Sequence, residues 1–184
     1  MPDLILFTGD IAFAGADTEY AQADAFLAAL RHWLREATGS AHEPPVVPVP
    51  GNHDLARPTG RALRNLAFLE SYAQGRDDPL IAQFQDDLWQ HEDAADIAPL
   101  FADYQAWLGR SILPQLQGPA FDLHRSHFPG DLSLVYRPQG KVPLLLVGLN
   151  SAWMQFQEGD RQGRLELPLE QFQAALGPQG LRRF

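Results

Sequence analysis

The sequence predicts an α/β fold. Three observations carry that prediction. Short apolar runs at residues 4–7, 46–49 and 144–147 each lead into a glycine, as strands entering tight turns do. Between the first two runs, apolar residues recur at helical spacing, giving the order strand, helix, strand. Polar residues follow the first two glycines: Asp10 after one, and Asn52, His53 and Asp54 after the other. That is where open α/β sheets place their ligands.

Residues 4–7 are apolar without alternation, the pattern of a strand buried on both faces. Gly9-Asp10 ends the strand, and residues 11–15 form a loop. Asp17 or Thr18 can cap the next helix, in which Ala23, Phe26, Leu27, Leu30 and Leu34 share a face. Arg31 and Arg35 suit its C-terminal end, and Gly39 stops it. After a polar link at residues 40–45, β-branched residues argue for a strand at 46–50, with an irregularity at Pro48, which cannot donate to a ladder. These pieces make a β-α-β unit with parallel strands.

Residues 57–117 are patterned as helices. Leu63, Leu66, Ala67 and Tyr72 suggest one. Pro79 starts a second, with Leu80, Phe84 and Leu88 on a face, and Ile97, Leu100, Phe101, Tyr104 and Leu108 give a third face. This block reads as an insertion or cap where substrate choice is set. Then residues 132–136, a turn at 137–140 and residues 141–149 predict a β-hairpin whose second strand is buried. A short amphipathic helix follows at 168–176.

Composition bounds the function. A chain of 184 residues that is 45% hydrophobic fits one domain with a sizeable core. A formal net charge of −9 disfavours nucleic acid as a partner, an objection that bound divalent cations weaken by reversing the sign locally. The absence of cysteine excludes disulfides, thiolate metal sites and cysteine nucleophiles, so any metal is held by oxygen and imidazole. It also suits a cytoplasmic location. No apolar run approaches the roughly 20 residues that span a bilayer, so no membrane partner is expected.

Gly9-Asp10 and Gly51-Asn52-His53-Asp54, each after a strand, resemble the second and third motifs of the calcineurin-like metallophosphoesterases. Residues 2–10 are similar to that family's approach to its aspartate. Gly148-Leu149-Asn150-Ser151 and Gly163-Arg164-Leu165 leading into Glu170-Gln171 are similar to its later sheet. The resemblance implies a four-layer α-β-β-α sandwich, here incomplete, as a single domain over 1–184 with a helical cap at about 57–117. It implies two divalent metal ions of the Mn, Fe or Zn class. It also implies hydrolysis of a phosphomonoester or phosphodiester by metal-activated hydroxide, with phrasing closest to the cyclic-nucleotide phosphodiesterase-like bacterial branch. Asp10 matches the bridging metal ligand and Asn52 a neutral oxygen ligand. His53 matches the imidazole beside the phosphoryl group, and Asp54 a residue that orients His53 by a hydrogen bond. A carboxylate bridging two cations brings them to about 3.5–4 Å and makes hydroxide available near neutral pH.

The family's Asp-x-His motif is not found ahead of Gly9-Asp10, and its Gly-His and Gly-His-x-His motifs are not found after Asp54. The chain therefore reads as an internal piece of the fold with half of a dinuclear site. Two functions compete: an enzyme acting on a phosphoester small molecule or nucleotide, and an inactive remnant serving as a binding or regulatory module. With a first strand absent, residues 4–7 become an apolar edge prone to association; the oligomeric state stays open. His124 and His127 read as solvated loop histidines, and His32, His42 and His91 as structural or exposed. Asp86, Asp87, Glu92, Asp93 and Asp96 read as a solvated surface. Asn150 and Ser151 read as a strand-ending turn or a substrate contact. Trp33, Trp89, Trp107 and Trp153 read as packing residues.

Overall fold

The computed structural model of the chain describes residues 2–57, 79–155 and 167–184. The predicted helix with Leu63, Leu66, Ala67 and Tyr72, the side chain of Leu80 and the Gly163-Arg164-Leu165 phrase lie outside them. The described residues form a mixed α/β arrangement with two small sheets. β1 (Ile5–Thr8) and β2 (Val46–Val49) pair in parallel, from Ile5 against Val46 to Thr8 against Val49. Parallel strands need a long crossover, and α1 (Asp17–Thr38) supplies it.

The N-cap of α1 is Ala16, one residue before the predicted caps Asp17 and Thr18. Glu19 of the first turn reaches back to the chain ahead of the helix: its Oε2 accepts from the amides of Ala14 (2.9 Å) and Ala16 (3.1 Å). Those amides hold the Glu19 carboxyl below the usual range. At the other end Gly39 takes a left-handed φ of 64° and its amide caps Arg35 O at 2.8 Å, as predicted. β2 runs through Pro48 without a break. Its strand partner among the described residues is β1 alone, so the missing amide falls at a sheet edge, and Pro48 O accepts from the Tyr104 hydroxyl at 3.3 Å.

The helical segment contains α2 (Pro79–Trp89), a 3-10 turn (Ala98–Phe101), α3 (Ala102–Trp107), a π-helical turn (Leu108–Ile112) and a further 3-10 turn (Leu113–Leu116). Ile97, Leu100, Phe101, Tyr104 and Leu108 are all buried, as their spacing predicts. Trp107 stacks on Tyr20 of α1 at 5.4 Å between ring centroids. Asp24 of α1 receives Trp107 Nε1 at 2.8 Å and Ser111 Oγ at 2.9 Å. Full burial of each such aromatic contributes about 1.5–3 kcal/mol, so this packing ties the helical segment to the crossover helix.

The second sheet is antiparallel, in the order β3 (Phe121–Arg125), β4 (Leu132–Tyr136), β5 (Leu144–Gly148). The predicted hairpin is β4–β5, with Leu132 opposite Gly148 and Tyr136 opposite Leu144. β5 begins at Leu144 rather than residue 141, because Pro143 has no amide for the ladder. β4 is buried along its length. α4 (Leu169–Leu176) packs against all three strands. The last turn (Gly180–Arg183) brings Arg183 to Asp122 of β3 at 2.8 Å and to Ser133 Oγ of β4 at 2.7 Å. That guanidinium holds the Asp122 carboxyl below its usual range.

Three expectations are corrected. β1 and β5 are not buried on both faces: Leu6 is 55% exposed and Leu144 45%. Trp33 is not a packing residue; it is 62% exposed on α1. Burial alternates along β1, with Ile5 and Phe7 half-buried on one face and Leu6 and Thr8 exposed on the other. β1 also has β2 on one side and no strand on the other among the described residues. The two sheets nevertheless meet at their ends. A Cβ at Gly148 would lie 2.5 Å from Val49 Cγ1, and one at Gly130 would lie 2.6 Å from Pro50 Cδ.

An open apolar edge templates strand addition. The isolated chain is expected to scatter light as a species larger than the monomer, and Leu6→Lys to shift it toward monomer. A monodisperse wild-type monomer contradicts this.

Candidate functional site

The site is built where β1 and β2 end. Gly9 (φ 116°) and Asp10 (φ 54°) turn the chain after β1. A non-glycine residue at positive φ costs on the order of 1–3 kcal/mol, so neighbouring contacts must hold Asp10 in place. Asp10 Oδ1 accepts the amide of His53 at 3.2 Å. Gly51 lies flat against the same residue, and a Cβ at Gly51 would overlap both Oδ1 and the Asp10 amide nitrogen. The glycine is therefore required by close approach, and the carboxylate stays exposed.

Asp54 lies beneath, 1% exposed. Its carboxylate accepts from the amides of Ala12 (2.8 Å), Gly51 (2.9 Å) and Ile11 (3.1 Å), and from the Tyr20 hydroxyl (3.1 Å). Burial, with Asp54 alongside, pushes the Tyr20 hydroxyl far above its ordinary value. The predicted hydrogen bond from Asp54 to His53 is not formed. His53 Nδ1 instead lies 2.6 Å from Phe13 O, and the Phe13 ring stacks on the imidazole at 5.4 Å. A carbonyl only accepts, so Nδ1 carries the proton, and Nε2 is the ring's proton-accepting atom. Asp54 reaches His53 only through the backbone it braces.

Among the described residues, two cavities border Asp10. One, of about 400 Å³, is lined by Gly9, Asp10, Asn52, Ser151 and Gln155 among others. The other, of about 600 Å³, runs over Phe7, Phe13 and Phe26 to Asp10 and His53. The structure thus brings Asp10 together with Asn52 on one side and with His53 on the other. The far wall of the smaller cavity comes from the end of β5. There Asn150 is fully buried: its Nδ2 donates to Pro129 O at 2.9 Å and its Oδ1 accepts the Ala152 amide at 2.9 Å. Of the Asn150-Ser151 pair, only Ser151 is exposed to the cavity. Behind Asn150 sits Asp131, 2% exposed, whose Oδ1 accepts the Asn150 amide (2.6 Å) and Gln171 Nε2 (3.1 Å). Burial pushes the Asp131 carboxyl up to about 8.

His124 and His127 are not solvated loop residues. His124 lies on β3 with Nε2 at 3.1 Å from Ala174 O, and His127 Nε2 is 2.9 Å from Leu88 O; both rings are half-buried. The sequence reading missed β3, although Phe121 and Leu123 alternate with Asp122 and His124 at strand period. It also passed over the Asp-x-His triplet at 122–124. Asp122 is paired with Arg183 and His124 with Ala174, so that triplet clasps the end of the chain. Among the described residues, Asp86, Asp87 and His91 bring three ligand-type atoms within 4.8 Å, with Asp86 and His91 exposed, and exposed acidic groups are common without a metal.

The donors at the strand ends suit a hard or borderline divalent cation: an exposed carboxylate in a strained conformation, and a half-exposed amide beside it. The ends of two parallel strands thus bring a carboxylate, an amide and an imidazole to one end of the small sheet, the carboxylate bordering both cavities. The family model for calcineurin-like phosphoesterase matches residues 1–129, and the chain belongs to that family. The family typically uses divalent metals and hydrolyses phosphoesters. No curated protein and no solved structure matches the chain. No helix among the described residues is long and apolar enough to cross a membrane.

Asp54→Ala strands three backbone amides and the Tyr20 hydroxyl, so a loss on the order of 3 kcal/mol is expected in chemical denaturation. A loss below about 1 kcal/mol contradicts the role assigned to Asp54. A second expectation concerns pH. Asp131 keeps its proton up to about 8 in the folded chain, whereas the unfolded chain releases it near roughly 4. The folded state then binds one more proton than the unfolded state between these values, so stability falls as pH rises across that window and levels above it. Asp131→Asn removes this slope. The melting temperature of the variant relative to wild type should climb steadily from about pH 4 to 8; a pH-independent difference contradicts it.

Proposed function

We propose that this chain carries the Asp10–Asn52 part of a metal-dependent phosphoesterase site, with the phosphoryl group held in the cavity between Asp10 and Ser151. One observation supports this reading above the rest: a carboxylate in a strained conformation, pinned by the His53 amide and left open to two cavities. Asp10 and Asn52 are the ligands we assign to divalent ions of the Mn, Fe or Zn class. Such ions, when bound, acidify water and neutralise charge on the phosphoryl oxygens. His53 acts on the leaving-group side. With Nδ1–H held on Phe13 O, its protonated ring donates from Nε2 to the departing oxygen. Asp54 is a positioning residue that fixes both motif turns at once. The substrate is a phosphomonoester or phosphodiester; the cyclic-nucleotide branch is the finer reading, resting on the motif phrasing. We take the two sheets as inner layers of a four-layer sandwich, supported by the approach of Gly148 to Val49. We take residues 1–184 as one cytoplasmic domain with substrate choice set by the 57–117 segment.

A second reading has an observation of its own. Among the described residues, the cavity at Asn52 is lined by one carboxylate and no imidazole. A binding or regulatory module that does not turn over substrate fits that sparse donor set. Purified chain with manganese, assayed on bis-p-nitrophenyl phosphate, separates the two. The enzyme reading expects turnover that falls by about 100-fold or more in Asp10→Ala and His53→Ala with the circular dichroism spectrum preserved. No turnover together with no bound metal by elemental analysis overturns it for this chain.

A further inference from the structure

The wall opposite Asp10 is built with more polar investment than a strand-ending turn needs. Four polar groups are fully enclosed there: the Asp131 carboxyl, the Asn150 side chain, the Gln171 amide and the Asn150 backbone. Asp131 Oδ1 receives both the Asn150 amide and Gln171 Nε2, and the same Gln171 nitrogen donates to Asn150 O at 3.0 Å. Asn150 in turn ties Pro129 to Ala152 through its two amide atoms. Asp131 Oδ2 is buried without a hydrogen-bond partner. A buried polar group left unpaired costs on the order of 1–3 kcal/mol, and an apolar residue in its place would avoid that cost. The arrangement brackets a single exposed residue, Ser151, held from both sides by Asn150 and Ala152.

We propose that Ser151 contributes a hydroxyl hydrogen bond to a non-bridging phosphoryl oxygen of the substrate, and that Asp131, acting through Asn150, is the positioning residue that holds it there. The chemistry fits the cavity. Asp10 faces it as an anion, so a phosphate dianion needs cations on that side and a neutral donor on the other. Ser151 supplies a hydroxyl on a backbone fixed by its neighbours, and a donor that need not reorganise on binding is worth more than a mobile one. Gln155 lines the same cavity but lies three residues past the bracket, tied to it through its own amide on Ala152 O at 2.8 Å rather than held from both sides. The inference rests on the proposed phosphoryl site and adds to it a group from the second sheet.

The test uses the purified chain with manganese and inorganic phosphate as the probe, read by calorimetry, with manganese affinity measured separately by electron paramagnetic resonance. Wild type is expected to bind phosphate only when manganese is present. Ser151→Ala should weaken phosphate by about 5-fold or more with manganese affinity unchanged, the loss of one hydrogen bond to a charged group. Asp131→Ala should produce a similar loss, Asp131→Asn should restore binding, and Asp131→Ala added to Ser151→Ala should cost little more. A structural readout accompanies the binding. Amide hydrogen exchange at Asn150 and Ala152 should speed up in Asp131→Ala and return toward wild type in Asp131→Asn, whatever the phosphate result in that variant. Phosphate binding that is intact in Ser151→Ala overturns the inference while leaving the proposed function standing. Wild type that binds manganese but no phosphate overturns both. Equal exchange in all three proteins overturns the role of Asp131 alone.

Discussion

The Asp54 carboxylate is the contact on which the site depends. It lies under both motif turns and bonds to each: to the amides of Ile11 and Ala12 after β1, and to the amide of Gly51 after β2. Its fourth partner, Tyr20, stands on α1 and stacks on Trp107, so the brace continues into the helical segment. One buried carboxylate thus sets the spacing between two turns, reaching from its own turn to amides 42 and 43 residues back along the chain. The contacts above it follow from that spacing. Asp10 can reach the His53 amide, and Gly51 can lie against Asp10, only because the turns are held together from below.

Above this brace the donors divide by side. Asp10 borders both cavities, Asn52 only the one facing β5, and His53 only the one facing Phe13 and Phe26. The second sheet enters through the β5 end, where a separate buried carboxyl, Asp131, braces the opposite wall. Each wall therefore rests on its own enclosed aspartate. The two differ in what they receive: Asp54 has four donors, and Asp131 two on one oxygen and none on the other.

Much of this was legible in the sequence because it is local. A strand, a glycine and a polar residue is a pattern of a few positions, and it located Asp10, Asn52 and His53 at the strand ends. The helical face Ile97, Leu100, Phe101, Tyr104 and Leu108 was legible for the same reason, as was the Gly39 stop. What was not legible lies in long-range contacts to backbone. Asp54 was read as the partner of its neighbour His53, yet three of its four donors are main-chain amides, two of them 42 and 43 residues away, and a main-chain amide leaves no residue-type signal. The imidazole found a main-chain partner too, Phe13 O. β3 is short and charged, and its alternation was hidden by His124, which with nearby His127 resembles a loop residue. The exposure of Leu6 depends on what covers its face of β1, which the composition of residues 4–7 does not encode.

The central claim is that the ends of β1 and β2, together with the β5 turn, form one cation-dependent phosphoester site. Paramagnetic line broadening tests it most directly. Manganese added in substoichiometric amounts to isotope-labelled chain should first broaden the amide resonances of Gly9, Asp10, Asn52 and Ser151, and Asn52→Ala should weaken the effect at all of them. Broadening confined to residues 86–91, or spread evenly over the acidic surface with the strand ends spared, would contradict the account.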